Sequence, residues 1–245
     1  MKVQPMTMAL TSDNRTKLKQ ISTASVTTAL FKRGLRNTYV QGPQLINPKA
    51  PRLVGEAYTL RYIPSREDLD PLSVFEDQTH PQRKGIEEIP EGYVMVIDAR
   101  GDRTAASAGN ILVTRMMVRG AAGVVTDGGF RDSGEIASLD FAAYHVGPSA
   151  PTNLIKHRAI GLNEPIACGG VGVYPGDIMM GDADGVVCIP AHLANEIAEE
   201  VFEMTIYEDF VEAQVLKGQS TFGLYPATNP QTKIDFAKWR EEQGR

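Results

Sequence analysis

The chain has 245 residues, 42% hydrophobic and 22% charged, with a net charge of −5. That is ordinary globular composition, and it is long enough to bury a core without disulfide or metal staples. The acidic balance argues against nucleic acid, which needs clustered Lys and Arg. No apolar run approaches the ~18 residues of a membrane span, and Met1-Lys2-Val3-Gln4-Pro5 has no apolar leader segment. The expectation is a soluble, cytoplasmic protein.

Residues 13–34 read as one or two helices, with Ile21, Ala24, Val26, Leu30 and Phe31 at helical spacing and Gly34 as a stop. Ser22, Thr23, Ser25, Thr27 and Thr28 interrupt that run; Ser22 or Ser25 would cap a second helix, or the hydroxyls would face a pocket. Residues 52–63 form a strand or strand pair, and Gly55 within it marks a bulge or a close backbone approach. The polar stretch 64–81 reads as a loop with a solvated His80, followed by a short helix over 82–89 and a central strand over 93–99.

Residues 109–132 organise the rest. A helix from Asn110 to about Arg119 precedes a buried strand at 123–126 and a glycine loop that ends on Arg131-Asp132. A helix starting at Gly109-Asn110 points free amides at an anion, and the loop delivers one cation and one carboxylate. If both face one pocket, it can hold a small carboxylate and a divalent metal; otherwise the loop is merely solvated.

Beyond it, a helix is expected over 133–139, a strand over 141–146 and a glycine-rich bulging strand over 166–173. Residues 178–180 and 186–189 form a hairpin around Asp182-Ala183-Asp184, whose spacing lacks the full ligand set of a calcium loop. Residues 191–215 are the longest helix, with an apolar stripe and acidic outer faces. The arm 217–245, with Phe222, Leu224, Tyr225 and Trp239, packs on its own or a partner chain. Cys168 and Cys188 read as buried free thiols. The chain, 1–245, is taken as a single domain with its core at about 20–225.

Several chemistries drop out. No Gly-x-Ser-x-Gly, P-loop or His-x-x-x-His pattern is present. Gly169-Gly170-Val171-Gly172 precedes no helix, so a dinucleotide fingerprint is unsupported. What remains is oxygen-ligand chemistry, with Asp132 and waters holding Mg²⁺ or Mn²⁺.

The runs 109–112 and 119–132, together with 54–59, Pro175-Gly176-Asp177 and 181–187, resemble the RraA-like family over roughly residues 20–225. That family includes divalent-metal-dependent class II aldolases of 4-hydroxy-4-methyl-2-oxoglutarate and 4-carboxy-4-hydroxy-2-oxoadipate, and regulators of ribonuclease activity. The resemblance implies an α/β fold, a compact α/β/β/α domain of swivelling phosphohistidine type with N-terminal helices and a C-terminal helix plus arm. It implies homotrimers or hexamers with the site between subunits. Asp132 would hold the metal, Arg131 the keto or enolate oxygen of a 2-oxo acid, and the amides of Ile111 and Leu112, beside Gly109 and Asn110, its carboxylate. An acidic residue of the neighbouring subunit's long helix would complete the metal's water shell: Glu208, with Glu203 and Asp209 as alternatives.

One position departs from the aldolases, which carry aspartate where this chain has Asn110. An amide is no general base, so Asn110 would only orient the metal-bound water, and the base would be a metal hydroxide or Asp98, Asp102 or His145. The implied reaction is retro-aldol release of pyruvate, oxaloacetate decarboxylation, or both. The alternative is a non-catalytic ring that binds a ribonuclease.

Overall fold

A computed structural model describes residues 9–245; the Met1–Pro5 stretch lies outside them. Helices α1 (Ser12–Leu18) and α2 (Thr23–Lys32) open the described chain. The break between them is set by Ser22, whose hydroxyl accepts the Ser25 amide at 3.0 Å and caps α2. Strands β1 (Tyr39–Val40) and β2 (Gln44–Leu45) precede the long β3 (Leu53–Pro64). The helix α3 (Pro81–Glu88) leads to β4 (Val94–Asp98), β5 (Ala106–Ala108) and α4 (Asn110–Val118). Then come β6 (Gly123–Thr126), β7 (Gly129–Phe130), α5 (Ser133–Ile136), β8 (Ala142–His145) and β9 (Gly147–Pro148). Strands β10 (His157–Leu162), β11 (Ile166–Cys168), β12 (Val171–Val173), β13 (Ile178–Asp182) and β14 (Gly185–Ile189) lead to α6 (Ala194–Val215) and α7 (Pro230–Gln243).

The main sheet runs β1-β14-β13-β3-β4-β6-β8-β2, with β10 also paired to β3. Its centre, β3-β4-β6-β8, is parallel, and β13, β14 and β1 continue it antiparallel. Period-two alternation sorts the side chains into layers. Met95 and Ile97 of β4 face the helices α3, α4 and α5, whereas Val94 and Val96 face Met179, Val186 and Cys188 of the antiparallel half. Ile178, Met180, Val187 and Ile189 point the other way, onto α1, α2 and α6. The result is helices, parallel sheet, antiparallel sheet, helices: the α/β/β/α order that the family resemblance implies.

Gly55 is a close approach, because a Cβ there would collide with the Gly92 carbonyl of the neighbouring backbone. The Asp182 turn is structural: its carboxylate accepts the Thr23 amide and hydroxyl at 2.8 Å each and the Asp184 amide at 3.0 Å. Both cysteines are free and buried. The arm folds on its own chain, where Phe236 and Trp239 of α7 join Tyr207 and Phe210 of α6.

Two expectations are corrected, and one strand is new. Residues 166–173 are not one bulged strand but the hairpin β11-β12, which turns at Gly169-Gly170 with φ of 52° and 78°. The helix expected over 133–139 is a single turn. Strand β10 was not foreseen: its burial alternates, but His157, Ala159 and Gly161 take the inward positions while Ile160 is exposed, so no apolar alternation marks it.

Candidate functional site

The site begins with a second, small parallel sheet, β5-β7-β9. Strand β5 runs straight into Gly109 and α4, and β7 runs straight into Arg131-Asp132. Because β5 and β7 are parallel neighbours, their carboxyl ends lie side by side. The Arg131 amide donates to the Ala108 carbonyl at 3.2 Å, locking the two exits together. This is the crevice at strand carboxyl ends where open α/β sheets receive ligands.

Asp132 has φ 56° and ψ 37°, left-handed geometry that a non-glycine residue seldom adopts and that concentrates at functional positions. That turn folds its carboxylate back to the amino end of α4. Oδ2 accepts the Asn110 amide at 3.2 Å and lies 3.3 Å from Arg131 Nε, and Oδ1 makes no hydrogen bond among the described residues. Gly109 leaves room for this closeness: a Cβ there would lie 2.8 Å from Asp132 Oδ2 and 2.9 Å from Arg131 Nε, and one of the two side chains would have to swing away.

Around these groups lies a cleft of about 220 Å³, smaller than the roughly 300–1,000 Å³ of drug-sized sites, lined by Gly109, Ile111, Leu112, Arg131 and Asp132 among others. Arg131, Asp132, Gly109, Ile111 and Leu112 therefore meet as the sequence suggested. The Ile111 amide has no acceptor among the described residues, whereas the Leu112 amide already donates to the Gly109 carbonyl at 3.1 Å. The expected pair of anion-binding amides is thus one open amide and one partly engaged.

Asn110 contributes its backbone rather than its side chain. Its Oδ1 accepts the Thr114 hydroxyl at 3.2 Å, and the residue does not line the cleft. None of the three candidate bases lines it either. Asp98 accepts the Arg100 amide, and Asp102 accepts the Thr104 amide and hydroxyl, which hold its pKa down. His145 stacks on Phe130, and its Nδ1 accepts the Phe130 amide at 3.3 Å. Glu208 also lies outside the cleft, bonded to the Ser25 hydroxyl and the Tyr225 hydroxyl within its own chain. The hydroxyl run of α2 faces a separate cavity of about 540 Å³ lined by Thr23, Thr27 and Thr28.

The sequence did not reveal the residues that wall the cleft beside Arg131. The stretch expected to be a solvated loop supplies Leu72 and Phe75, and α3 supplies Gln82 and Arg83. Arg83 lies over the Phe75 ring at 4.3 Å. His80 is not solvated: it packs edge-on against Phe75, and burial lowers its pKa.

His80, His145 and His157 all have their pKa lowered from 6.5, in each case mainly by burial. The folded state therefore binds fewer protons than the unfolded one as pH falls past 6.5. Stability from these groups is complete above that value and is lost on acidification toward their folded-state values. Asp127, raised by burial, acts with the opposite sign. The expected result is a melting temperature that falls between pH 7 and about pH 5, with a shallower slope in His145→Gln, as followed by calorimetry across that range.

Among the described residues no group of three or more His, Cys, Asp and Glu converges to hold a metal. One carboxylate with an uncommitted oxygen matches a hard, mostly hydrated cation such as Mg²⁺ or Mn²⁺, which takes one or two carboxylates and several waters. No helix among the described residues is long and apolar enough to cross a membrane.

Residues 23–188 match the RraA-like family, described as aldolase/RraA. The chain belongs to this RraA-like family. It is 43% identical over 108 residues, 44% of this chain and 50% of the relative, to a Halalkalibacterium halodurans protein provisionally named 4-hydroxy-4-methyl-2-oxoglutarate aldolase. That match therefore spans half the relative's length. A Thermus thermophilus protein named 4-hydroxy-4-methyl-2-oxoglutarate aldolase is 31% identical over 119 residues, 49% of this chain and 71% of the relative. Among solved structures, Streptomyces coelicolor RraAS2, described as an unusual member of the RNase ES inhibitor RraA protein family, superposes with a TM-score of 0.73 at 27% identity. That superposition covers 84% of this chain and 98% of RraAS2.

Proposed function

We propose that this RraA-like chain is a divalent-metal-dependent lyase that releases pyruvate from a small 2-oxo acid. The reaction is retro-aldol cleavage of a 4-hydroxy-2-oxo acid, decarboxylation of oxaloacetate, or both. One observation carries this reading: the left-handed turn at Asp132 presents a cation and a carboxylate against the amino end of α4 inside a cleft sized for a small acid. Aldolase-named relatives support it.

In this reading the open Ile111 amide and the helix terminus hold the substrate carboxylate. The Arg131 guanidinium holds the C2 oxygen and stabilises the charge that grows there as the carbon–carbon bond breaks. Asp132 holds Mg²⁺ or Mn²⁺, which when bound supplies Lewis-acid polarisation. The site lies between copies of a homotrimer or hexamer, and Glu208 of the adjacent copy completes the metal's water shell. Of the three acidic candidates on α6, Glu203 and Asp209 are spent in ion pairs with Arg240 and Arg245, whereas Glu208 meets only hydroxyls. A coupled assay for pyruvate from oxaloacetate and from 4-hydroxy-2-oxo acids, with each metal and after chelation, tests the proposal. Turnover that disappears with chelator is expected, and no turnover on any of these acids overturns it.

Asn110 separates the two reactions. Decarboxylation needs no base at a substrate hydroxyl, whereas retro-aldol cleavage does. Oxaloacetate is therefore expected to be the better substrate. The Asn110 side chain faces Thr114 and not the cleft, so Asn110→Asp is expected to raise retro-aldol turnover relative to decarboxylation about a hundredfold, the lower end of general-base contributions, only where the new carboxylate turns from Thr114 to the cleft. An unchanged ratio of the two rates would remove the assigned role of position 110.

The same asparagine, with the likeness to RraAS2, favours a second reading: a non-catalytic ring-shaped binding protein. Absence of pyruvate release together with capture of a ribonuclease by the chain would select it.

A further inference from the structure

Strand β5 has three residues and β7 two, so ladder hydrogen bonds alone cannot hold the separation of their exits, Gly109 and Arg131-Asp132. A buried polar network runs underneath both. Ser107 is the middle residue of β5. Its carbonyl accepts the Tyr62 hydroxyl at 2.8 Å and Gln82 Nε2 at 2.9 Å, and Gln82 Nε2 also donates to the Tyr62 hydroxyl at 2.8 Å. The Ser107 hydroxyl lies 2.8 Å from that of Thr126, the last residue of β6, and the Thr126 hydroxyl accepts the Gly128 amide at 3.0 Å. The network therefore ties α3 and β3 to β5, and β5 to β6 and to the loop that enters β7. Contact along it is close: a Cβ on Gly128 would lie 2.6 Å from Ser107 Oγ.

The chemistry of the network suits a rigid tie. Tyr62, Gln82, Ser107 and Thr126 are each at most 2% exposed, and Tyr62 belongs to the apolar cluster of Ile97, Ala99, Ala108 and Phe130. Buried polar groups cost desolvation there, and what they supply that apolar groups do not is direction. The Ser107 carbonyl can only accept, so the Gln82 amide turns both N–H groups into the network and leaves Oε1 without a partner. The Tyr62 ring stacks on His157 with centroids 5.3 Å apart, and burial pushes its phenol pKa up, so the hydroxyl keeps its proton and donates.

We propose that Tyr62 and Thr126 are positioning residues for the site: through Ser107 they fix the distance from the amino end of α4 to Arg131-Asp132. The assignment rests on the lyase reading for the reaction that this distance serves. Neither residue lines the cleft, so both act through the backbone of β5 and of the loop before β7. A misplacement of about 1 Å between groups that hold a reacting acid costs on the order of a hundredfold in rate.

Two substitutions at Thr126 separate positioning from packing. Thr126→Val keeps the volume and removes the hydroxyl; Thr126→Ser removes a buried methyl and keeps the hydroxyl. Tyr62→Phe is the companion variant, since it keeps the ring and its stack on His157 and leaves Gln82 on the Ser107 carbonyl. With Mg²⁺ and well below each melting transition, kcat for pyruvate release is expected to fall about tenfold or more in Thr126→Val and Tyr62→Phe, with KM within about threefold of wild type. Thr126→Ser is expected to stay within about twofold of wild-type kcat although it melts lower. Hydrogen exchange read by mass spectrometry follows the same positions without turnover: the amides of 107–112 and 128–132 are expected to exchange about tenfold faster in Thr126→Val than in Thr126→Ser. Equal exchange in the two Thr126 variants, or a kcat that follows melting temperature instead of the hydroxyl, overturns the assignment. No turnover in any protein, wild type included, removes the lyase reading, and the exchange contrast then decides alone whether the network ties the two exits.

Discussion

Replacing Arg131 with alanine is expected to lower kcat/KM for pyruvate release by about 10²–10³-fold, the cost of removing one preorganised donor from a developing oxyanion. The side chain is 45% exposed and its pairing with Asp132 is a single 3.3 Å contact. The fold should therefore survive, and the melting temperature should move little. The loss belongs mainly in kcat, because the charge that Arg131 meets is larger in the transition state than in the bound acid. Arg131→Lys restores a cation without the fork and is expected to recover only part of the loss. A steady-state comparison of the two variants with wild type, at saturating Mg²⁺, decides the matter. A drop below tenfold in Arg131→Ala would leave the guanidinium as a surface charge.

How much of this site the sequence disclosed follows from distance along the chain. Gly109 and Arg131-Asp132 belong to one strand-helix-strand run, and the amino end of α4 and the loop after β6 are local consequences of that run. The α/β/β/α order came from the family resemblance alone, because Val94–Asp98, Ile178–Asp182 and Gly185–Ile189 read as short buried strands but do not show which layer each alternate residue serves. The wall of the cleft was not readable. Gln82 and Arg83 sit on a polar helix with no chemical signature, and they reach the site only because α3 packs against β3 and β10. Asn153 comes from a separate one-turn helix before β10, an irregular strand that the hydrophobic pattern does not mark. The αL turn at Asp132 was equally hidden, since aspartate tolerates it without requiring it.

The same logic identifies the residue on which the geometry of the site depends. Strand β7 is two residues long, too short to hold its place by ladder hydrogen bonds alone. Its backbone makes three outward contacts: the Phe130 amide to His145 Nδ1, the Phe130 carbonyl from the Ser149 amide at 2.9 Å, and the following Arg131 amide to Ala108. What fixes it is the Phe130 side chain, fully buried among Val113, Ile136 and Phe141 and stacked on His145 with ring centroids 5.7 Å apart. Phe130→Ala is expected to cost roughly 3–5 kcal/mol of stability, the range for emptying a buried aromatic site. At ~2–4 °C per kcal/mol for a chain of this size, that is a fall in melting temperature of about 6–20 °C. The decisive comparison is with Val201→Ala, a cavity made in the opposite helix layer, where Val201 of α6 packs with α1 and α2 onto the antiparallel strands. Both variants should melt lower. Only Phe130→Ala should also lose kcat/KM when both are assayed well below their transitions, because Arg131 is its immediate neighbour and takes its direction from that strand. Equal retained activity in the two variants would mean that Arg131-Asp132 is positioned by its own turn and not by the buried ring beneath it.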